Sequence, residues 1–165
     1  MAEELSDSAQ RVQEALMLAG ISARVVQLPQ SARTASDAAT AIGCRVEQIA
    51  KSLVFRRIDS NRPVLIIASG PNRVDERLAS SYLNASIAKA DADFVRSTTG
   101  FAIGGVPPLG HDLPLETLID QDLLQFDTIW AAAGTPHAVF SINPDLLVRA
   151  TNGRVLPIAA SRQPP

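Results

Sequence analysis

The sequence is short of several residue types on which common chemistries depend. A single cysteine, Cys44, excludes an internal disulfide and any paired-cysteine metal motif, and makes a reducing compartment the default expectation. No H-E-x-x-H, G-x-S-x-G or Walker loop occurs, so zinc proteases, common esterases and nucleoside triphosphatases lose their main support. No apolar run approaches the length of a membrane span, and the N-terminus lacks the basic start and apolar stretch of a signal peptide. A soluble, cytoplasmic protein with no membrane partner is expected. Positive charge is also scarce. The net charge of -2 argues against coating nucleic acid through bulk attraction, so any nucleic-acid contact has to be local. Lysine is the rarest cation: only Lys51 and Lys89 accompany 13 arginines.

What is present suits one globule. A length of 165 residues with 46% hydrophobic content supports one substantial core and is too short for two ordinary domains. Val12, Ala15, Leu16 and Ala19 recur at helical spacing within Ser6 to Ala19, and Gly20 stands where a helix ends. Ile21 to Leu28 is β-branched and closes on Pro29, predicting a strand. A polar connector, Pro29 to Arg33, leads to an Ala-rich helix over Thr34 to Ile42. Ile49 to Arg57 and Pro63 to Ser69 read as a hairpin across the turn-forming Asp59, Ser60 and Asn61.

Helices follow at Asn72 to Leu83, with Asn72 as cap, and at Asp91 to Ser97. Beyond the Gly- and Pro-dense TGFAIGGVPPLGH come strands at Leu115 to Asp120, Thr128 to Ala133 and Ala138 to Ile142. A helix capped by Asn143 and opened by Pro144 runs through Ala150; Gly153 to Ala159 is a last strand and SRQPP a frayed tail. Strands come singly, in a hairpin and in a late meander, which predicts an α+β fold with a mixed sheet.

Few residues invite chemistry. In Ile49 to Phe55, strand alternation puts Lys51, Leu53 and Phe55 on one face. Such a lysine either snorkels from a strand end or waits as an ammonium for a phosphate or carboxylate. Gly104-Gly105-Val106-Pro107-Pro108 removes side chains at two positions and fixes φ at two others. That composition suits an ordinary tight connection, and equally a rigid loop whose N–H groups bind an oxyanion. His111 and His137 are isolated loop histidines, open to solvation or to proton transfer, and Cys44 reads as a packed residue. Arginines 33, 45, 56, 57, 73 and 77 are either a patch or scattered solvated charges.

In this order, IAKSLVF, PVLIIASG, TGFAIGGVPPLGH and GTPHAVFSINPDLL resemble the YbaK-like family, related to the editing (insertion) domain of bacterial prolyl-tRNA synthetases. The resemblance runs from about Leu28 to Ala159 and pairs a strand lysine, Lys51, with a G-x-x-x-P loop, Gly104 to Pro108. It implies one YbaK-like domain over residues 1–165, its core about 21–160, with a mixed, mostly antiparallel, barrel-like sheet and surrounding helices. It implies a hydrolase: a free-standing deacylase cleaving a mischarged small amino acid from tRNA, typically tRNA(Pro), with prolyl-tRNA synthetase as a possible partner and no metal or cofactor.

On that reading Lys51 holds the nucleotide and Gly104, Gly105 and Val106 donate to the oxyanion, while Pro107, Pro108, His137, Phe55, Ile67, Phe101 and Gly134 shape the substrate pocket. Among alanine, serine, threonine and cysteine, alanine is favoured; departures in GTPHAVF from cysteine-removing members lower cysteine. The alternative is a noncatalytic tRNA- or protein-binding module on the same scaffold. Oligomeric state is not readable from the sequence.

Overall fold

A computed structural model describes residues 4–160; the SRQPP tail, 161–165, lies outside the described residues. Helix α1 (Asp7–Leu18) turns Ala9, Val12 and Leu16 into the core and is capped by the Ser6 hydroxyl, which accepts from the Ala9 N–H. Strand β1 is only Val26–Gln27, not the predicted Ile21 to Leu28. The reason is local: the Gln13 side chain donates to the Ala23 carbonyl and accepts from the Val25 N–H, so this backbone is satisfied without a ladder. Helix α2 (Ala35–Ile42) starts at its Thr34 cap and packs Ala38 and Ala39 against Ile49. Cys44 sits half-buried beside this small cluster, where burial raises its thiol pKa.

The hairpin β2 (Ile49–Arg57) and β3 (Pro63–Ser69) forms at the predicted residues, with Lys51 opposite Ala68. Helix α3 (Glu76–Leu83) is capped by Asp75 rather than Asn72, and β4 (Ile87–Lys89), a three-residue strand too short to announce itself in sequence, pairs with β2. Then come α4 (Ala92–Thr99), β5 (Glu116–Asp120), β6 (Ile129–Ala132), β7 (Ala138–Ile142) and α5 (Pro144–Thr151). The last strand, β8 (Arg154–Leu156), stops before Pro157, which lacks a donor; only Ala159 resumes pairing, as an isolated bridge to Val74.

The eight strands form one mixed sheet in the order β1-β7-β6-β2-β3-β5-β8, with β4 also on β2. Four pairings are antiparallel, β1 with β7, β2 with β3, β2 with β4 and β6 with β7, and three are parallel. The fold is α+β, but the sheet is open: β1 and β8 end it without meeting, so the expected barrel-like closure does not occur. Two cores flank the sheet. Ala50, Leu65, Ile67 and Phe140 face α1 and the Gly-Pro loop; Phe55, Val64, Ile66 and Leu118 face α3. Among the described residues no helix is long and apolar enough to cross a membrane.

Candidate active site

The central strand β2 has one complete edge and one divided edge. β3 pairs with it from Ala50 to Arg56, and the Arg57 N–H donates to the Arg62 carbonyl at 2.8 Å. Antiparallel alternation therefore aims the backbone groups of odd-numbered residues at β3 and those of Ser52 and Val54 at the other edge. On that edge β6 reaches only Ile49 and Ala50, while β4 begins at Phe55. Residues 51–54 lie in the gap. A cavity of about 790 Å³ opens there, lined by Lys51, Ser52 and Val54 of β2, by Ala131 and Ala132 of β6, and by Lys89 and Ala90. Gly104, Val106, Thr135 and Pro136 line it from the two loops. A smaller hollow of about 330 Å³ near Gly20, Asp127 and Leu146 carries no cation.

The Lys51 ammonium is half-buried and donates to the Asn72 carbonyl at 2.7 Å. That carbonyl is fixed from behind. The Asn72 amide donates to Asp120 at 2.8 Å and Asp122 at 2.7 Å, and Asp120, itself buried, also accepts from the Ser69 and Asp122 N–H groups at 3.0 Å. Burial lowers the Lys51 pKa, and the charge of Asp120 offsets part of that. The cation is thus partly stripped of water and held by one neutral oxygen, with donors left for a ligand. Sequence reasoning missed this support because Asn72 resembles a helix cap and Asp120 a strand-end acid; neither carries a signal linking it to Lys51, 20 or more residues away. Asp120→Ala leaves three donors without their acceptor and is expected to cost on the order of 3 kcal/mol, read as a lowered denaturation midpoint with unchanged slope.

The Gly-Pro loop approaches the turn after β6 closely. A Cβ on Gly105 would lie 2.6 Å from the Gly134 carbonyl oxygen and 2.7 Å from the Thr135 Cα, so only glycine fits. The Gly105 carbonyl accepts from the Gly134 N–H at 2.9 Å, and its own N–H donates to the Ala102 carbonyl at 3.0 Å. The expected set of three oxyanion donors is thereby reduced, because the Gly105 N–H is already engaged. Gly104 (φ 93°) and Val106 line the cavity, and their N–H groups have no protein acceptor among the described residues.

The rear of the loop is braced by α1. Arg11 donates to the Gly100 carbonyl at 3.0 Å, pairs with Asp112 at 2.7 Å and stacks 4.5 Å from the Phe101 ring centroid. The edge of Phe101 meets His111, whose Nε2–H donates to the Pro107 carbonyl at 2.7 Å, a bond that fixes the tautomer. Desolvation lowers the His111 pKa, ahead of the raising effects of the Pro107 carbonyl and Asp112. Between the native and unfolded pKa values the unfolded chain holds more protons, so this residue makes stability fall as pH drops below the ordinary histidine value. His111→Phe should remove that acid sensitivity and cost about 1–3 kcal/mol by stranding the Pro107 carbonyl, which thermal melts at two pH values would read.

The remaining candidates divide. Phe55 lines the cavity; Ile67 and Phe101 are buried in the core behind it, and Pro107 and Pro108 are buried within the loop. Gly134 backs Gly105, while His137 is exposed, its N–H taken by the Thr135 hydroxyl and its carbonyl by the Leu28 N–H. The arginine set does not form one patch: Arg45 pairs with Glu47 and Arg57 with Asp59 and Glu116, whereas Arg33 and Arg73 line the cavity. Sequence reasoning did not single out Thr135 and Pro136 as lining residues; their only mark was adjacency to His137.

In this open mixed sheet the central strand brings a half-buried lysine to the same cavity as two unengaged loop amides, a set of donors chemically suited to a polar, anionic or ester-bearing ligand. The family model of the aminoacyl-tRNA editing domain matches residues 29–150, and the chain belongs to that family. A crystal structure provisionally described as a trans-editing enzyme for prolyl tRNA synthetase superimposes with a TM-score of 0.91 at 44% identity, covering 96% of this chain and 100% of the other. YwhH of Bacillus subtilis, an uncharacterized protein, is 30% identical over 120 residues, 73% of this chain and 76% of its own length. EbsC of Enterococcus faecalis, provisionally named a Cys-tRNA(Pro)/Cys-tRNA(Cys) deacylase, is 25% identical over 122 residues, covering 73% and 74%. The hydrolase class expected from the sequence agrees with these relatives.

Proposed function

We propose that this chain removes a small, alanine-like amino acid from mischarged tRNA(Pro) by hydrolysing the ester to the terminal ribose. The observation that carries the reading is the meeting of Lys51 with the Gly104 and Val106 amides around one cavity. Water attacks the ester carbonyl carbon while the substrate's free ribose hydroxyl relays the proton, taking one from the water and handing its own to the neighbouring ester oxygen that is to leave. The tetrahedral oxyanion is held by the two loop N–H groups, after which the carbon–oxygen bond to the ribose breaks and the amino acid leaves. Lys51 holds a phosphate or ribose oxygen of the terminal nucleotide, so no protein nucleophile is needed.

The amino-acid preference rests on the lining. Ala50, Ala131, Ala132 and Ala138 contribute only methyl groups, with Val106 beside them. These methyl groups offer a substrate side chain no hydrogen bond, which favours alanine over serine or threonine, although a single methylene in an apolar pocket is worth only about 1–3 kcal/mol of discrimination. Release of free amino acid from a panel of tRNA(Pro) charged with alanine, serine, threonine, cysteine or proline tests the proposal. Fastest release of alanine with proline left intact is the expected result; tRNA retained with nothing released would establish the binding module instead.

A further inference from the structure

The cations of this chain are unevenly committed. Arg11, Arg45 and Arg57 are in ion pairs, Arg56 donates to Asn61, and Arg154 donates to the Tyr82 carbonyl. Arg33, Arg73 and Lys89 differ. Each is exposed, makes no ion pair or side-chain hydrogen bond among the described residues, and lines the same cavity. They come from three separate elements: the loop before α2, the loop between β3 and α3, and the end of β4. With Lys51 they put four cations on the cavity wall against one carboxylate, Glu76. Asp120 and Asp122 hold the Asn72 amide and do not line the cavity; the charge of Asp120 acts on Lys51 from behind, and Arg33, Arg73 and Lys89 make no ion pair with either. A protein of net charge -2 therefore concentrates positive charge on the wall of this cavity.

We infer that Arg33, Arg73 and Lys89 form a three-point clamp for successive phosphates of a single-stranded RNA end, whose terminal nucleotide enters the cavity toward Lys51. Three unengaged cations around one mouth suit a strand that threads inward, since each can take one backbone phosphate without disturbing an internal contact. The clamp accounts for how an acidic protein holds a polyanion: attraction is confined to the rim and acts on the strand end alone. It rests on the deacylase reading for the identity of the RNA, but its test does not require turnover.

The probe is an uncharged minihelix carrying the tRNA acceptor stem and its single-stranded 3′ end, with binding measured from about 50 to 200 mM salt. The triple variant Arg33→Ala, Arg73→Ala, Lys89→Ala should bind at least about tenfold more weakly, and its log–log salt slope should be shallower by about 2, at roughly 0.7 per single-strand phosphate. A control triple, Arg24→Ala, Arg62→Ala, Arg149→Ala, removes the same charge from exposed arginines that do not line the cavity. It should keep the wild-type affinity and slope. Removing the 3′ single strand from the probe should weaken wild type to the level of the cavity triple.

Equal weakening by both triples, unchanged affinity in the cavity triple, or AMP binding as tightly as the minihelix would overturn the clamp. If the minihelix binds as stated but no charged tRNA releases its amino acid, the clamp stands and the deacylase reading falls. Deacylation kinetics add a second readout: the cavity triple should raise KM with kcat changed less than about twofold, as loss of uniform binding requires.

Discussion

Lys51→Ala is expected to lower kcat/KM for deacylation by about 10²–10³-fold, the scale on which removal of one preorganised electrostatic group acts in a low-dielectric site. The fold should survive, because the ammonium is only half-buried and its partner, the Asn72 carbonyl, sits beside a water-accessible cavity. Melting temperature and activity therefore separate in this variant. Burial lowers the Lys51 pKa more than Asp120 raises it, so the charged form is lost at a pH below the ordinary lysine range. Wild-type activity should fall on the alkaline side in that window. Lys51→Arg, which stays charged, should lose this alkaline limb while losing rate through its different geometry.

Stability moves the opposite way at this residue. A lowered native pKa means that charging Lys51 penalises folding; the penalty is full below the native pKa and disappears as pH rises toward the unfolded value. A pH series recording both melting and turnover would expose the opposition. Parallel decline of both at alkaline pH would assign the activity loss to unfolding rather than to Lys51.

Gly105→Ala is expected to reduce activity by about 10²-fold and stability by about 1–3 kcal/mol, for a steric reason rather than a chemical one. The added methyl would sit 2.6–2.7 Å from backbone atoms of Gly134 and Thr135, which cannot rotate away as a side chain can. The two loops must separate, and with them the Gly104 and Val106 amides on one side and Thr135 and Pro136 on the other. Gly104→Ala gives the contrast: its Cβ would meet only Pro136 Cγ at 3.7 Å, so strain from its positive φ is the main cost. Native activity in Gly105→Ala would remove the loop from the mechanism.

What was legible in the sequence is what neighbours along the chain determine. The hairpin could be read because β-branched runs and turn residues sit side by side, and its Ile49–Arg57 and Pro63–Ser69 strands occur at the expected residues. Helix starts were readable where a capping residue heads the run: Asn143 caps α5 as expected, and Thr34 and Asp91, the first residues of two expected helices, are the caps of α2 and α4. Where a local signal competed with a distant partner, it failed. Asn72 has the side chain of a cap but spends it on Asp120 and Asp122, and Ile21 to Leu28 has strand composition but is held largely by Gln13 and the core. The family, too, was legible, because the order and spacing of its motifs are properties of the chain.

Tertiary structure alone decided how the site is assembled. Nothing local indicates that β6 and β4 divide one edge of β2 between them, leaving residues 51–54 without a partner strand on that edge and opening the cavity. Nor does the sequence reveal that the Gly105 amide is spent, that Phe101, Ile67, Pro107 and Pro108 support the cavity from behind, or that Arg33, Arg73 and Lys89 line the same cavity. The physical reason is common to all of these. Hydrophobic pattern and turn chemistry act within a few residues, whereas a hydrogen bond from Lys51 to Asn72, or a backbone contact between Gly105 and Gly134, exists only after strands distant in sequence have paired and fixed the distance between them.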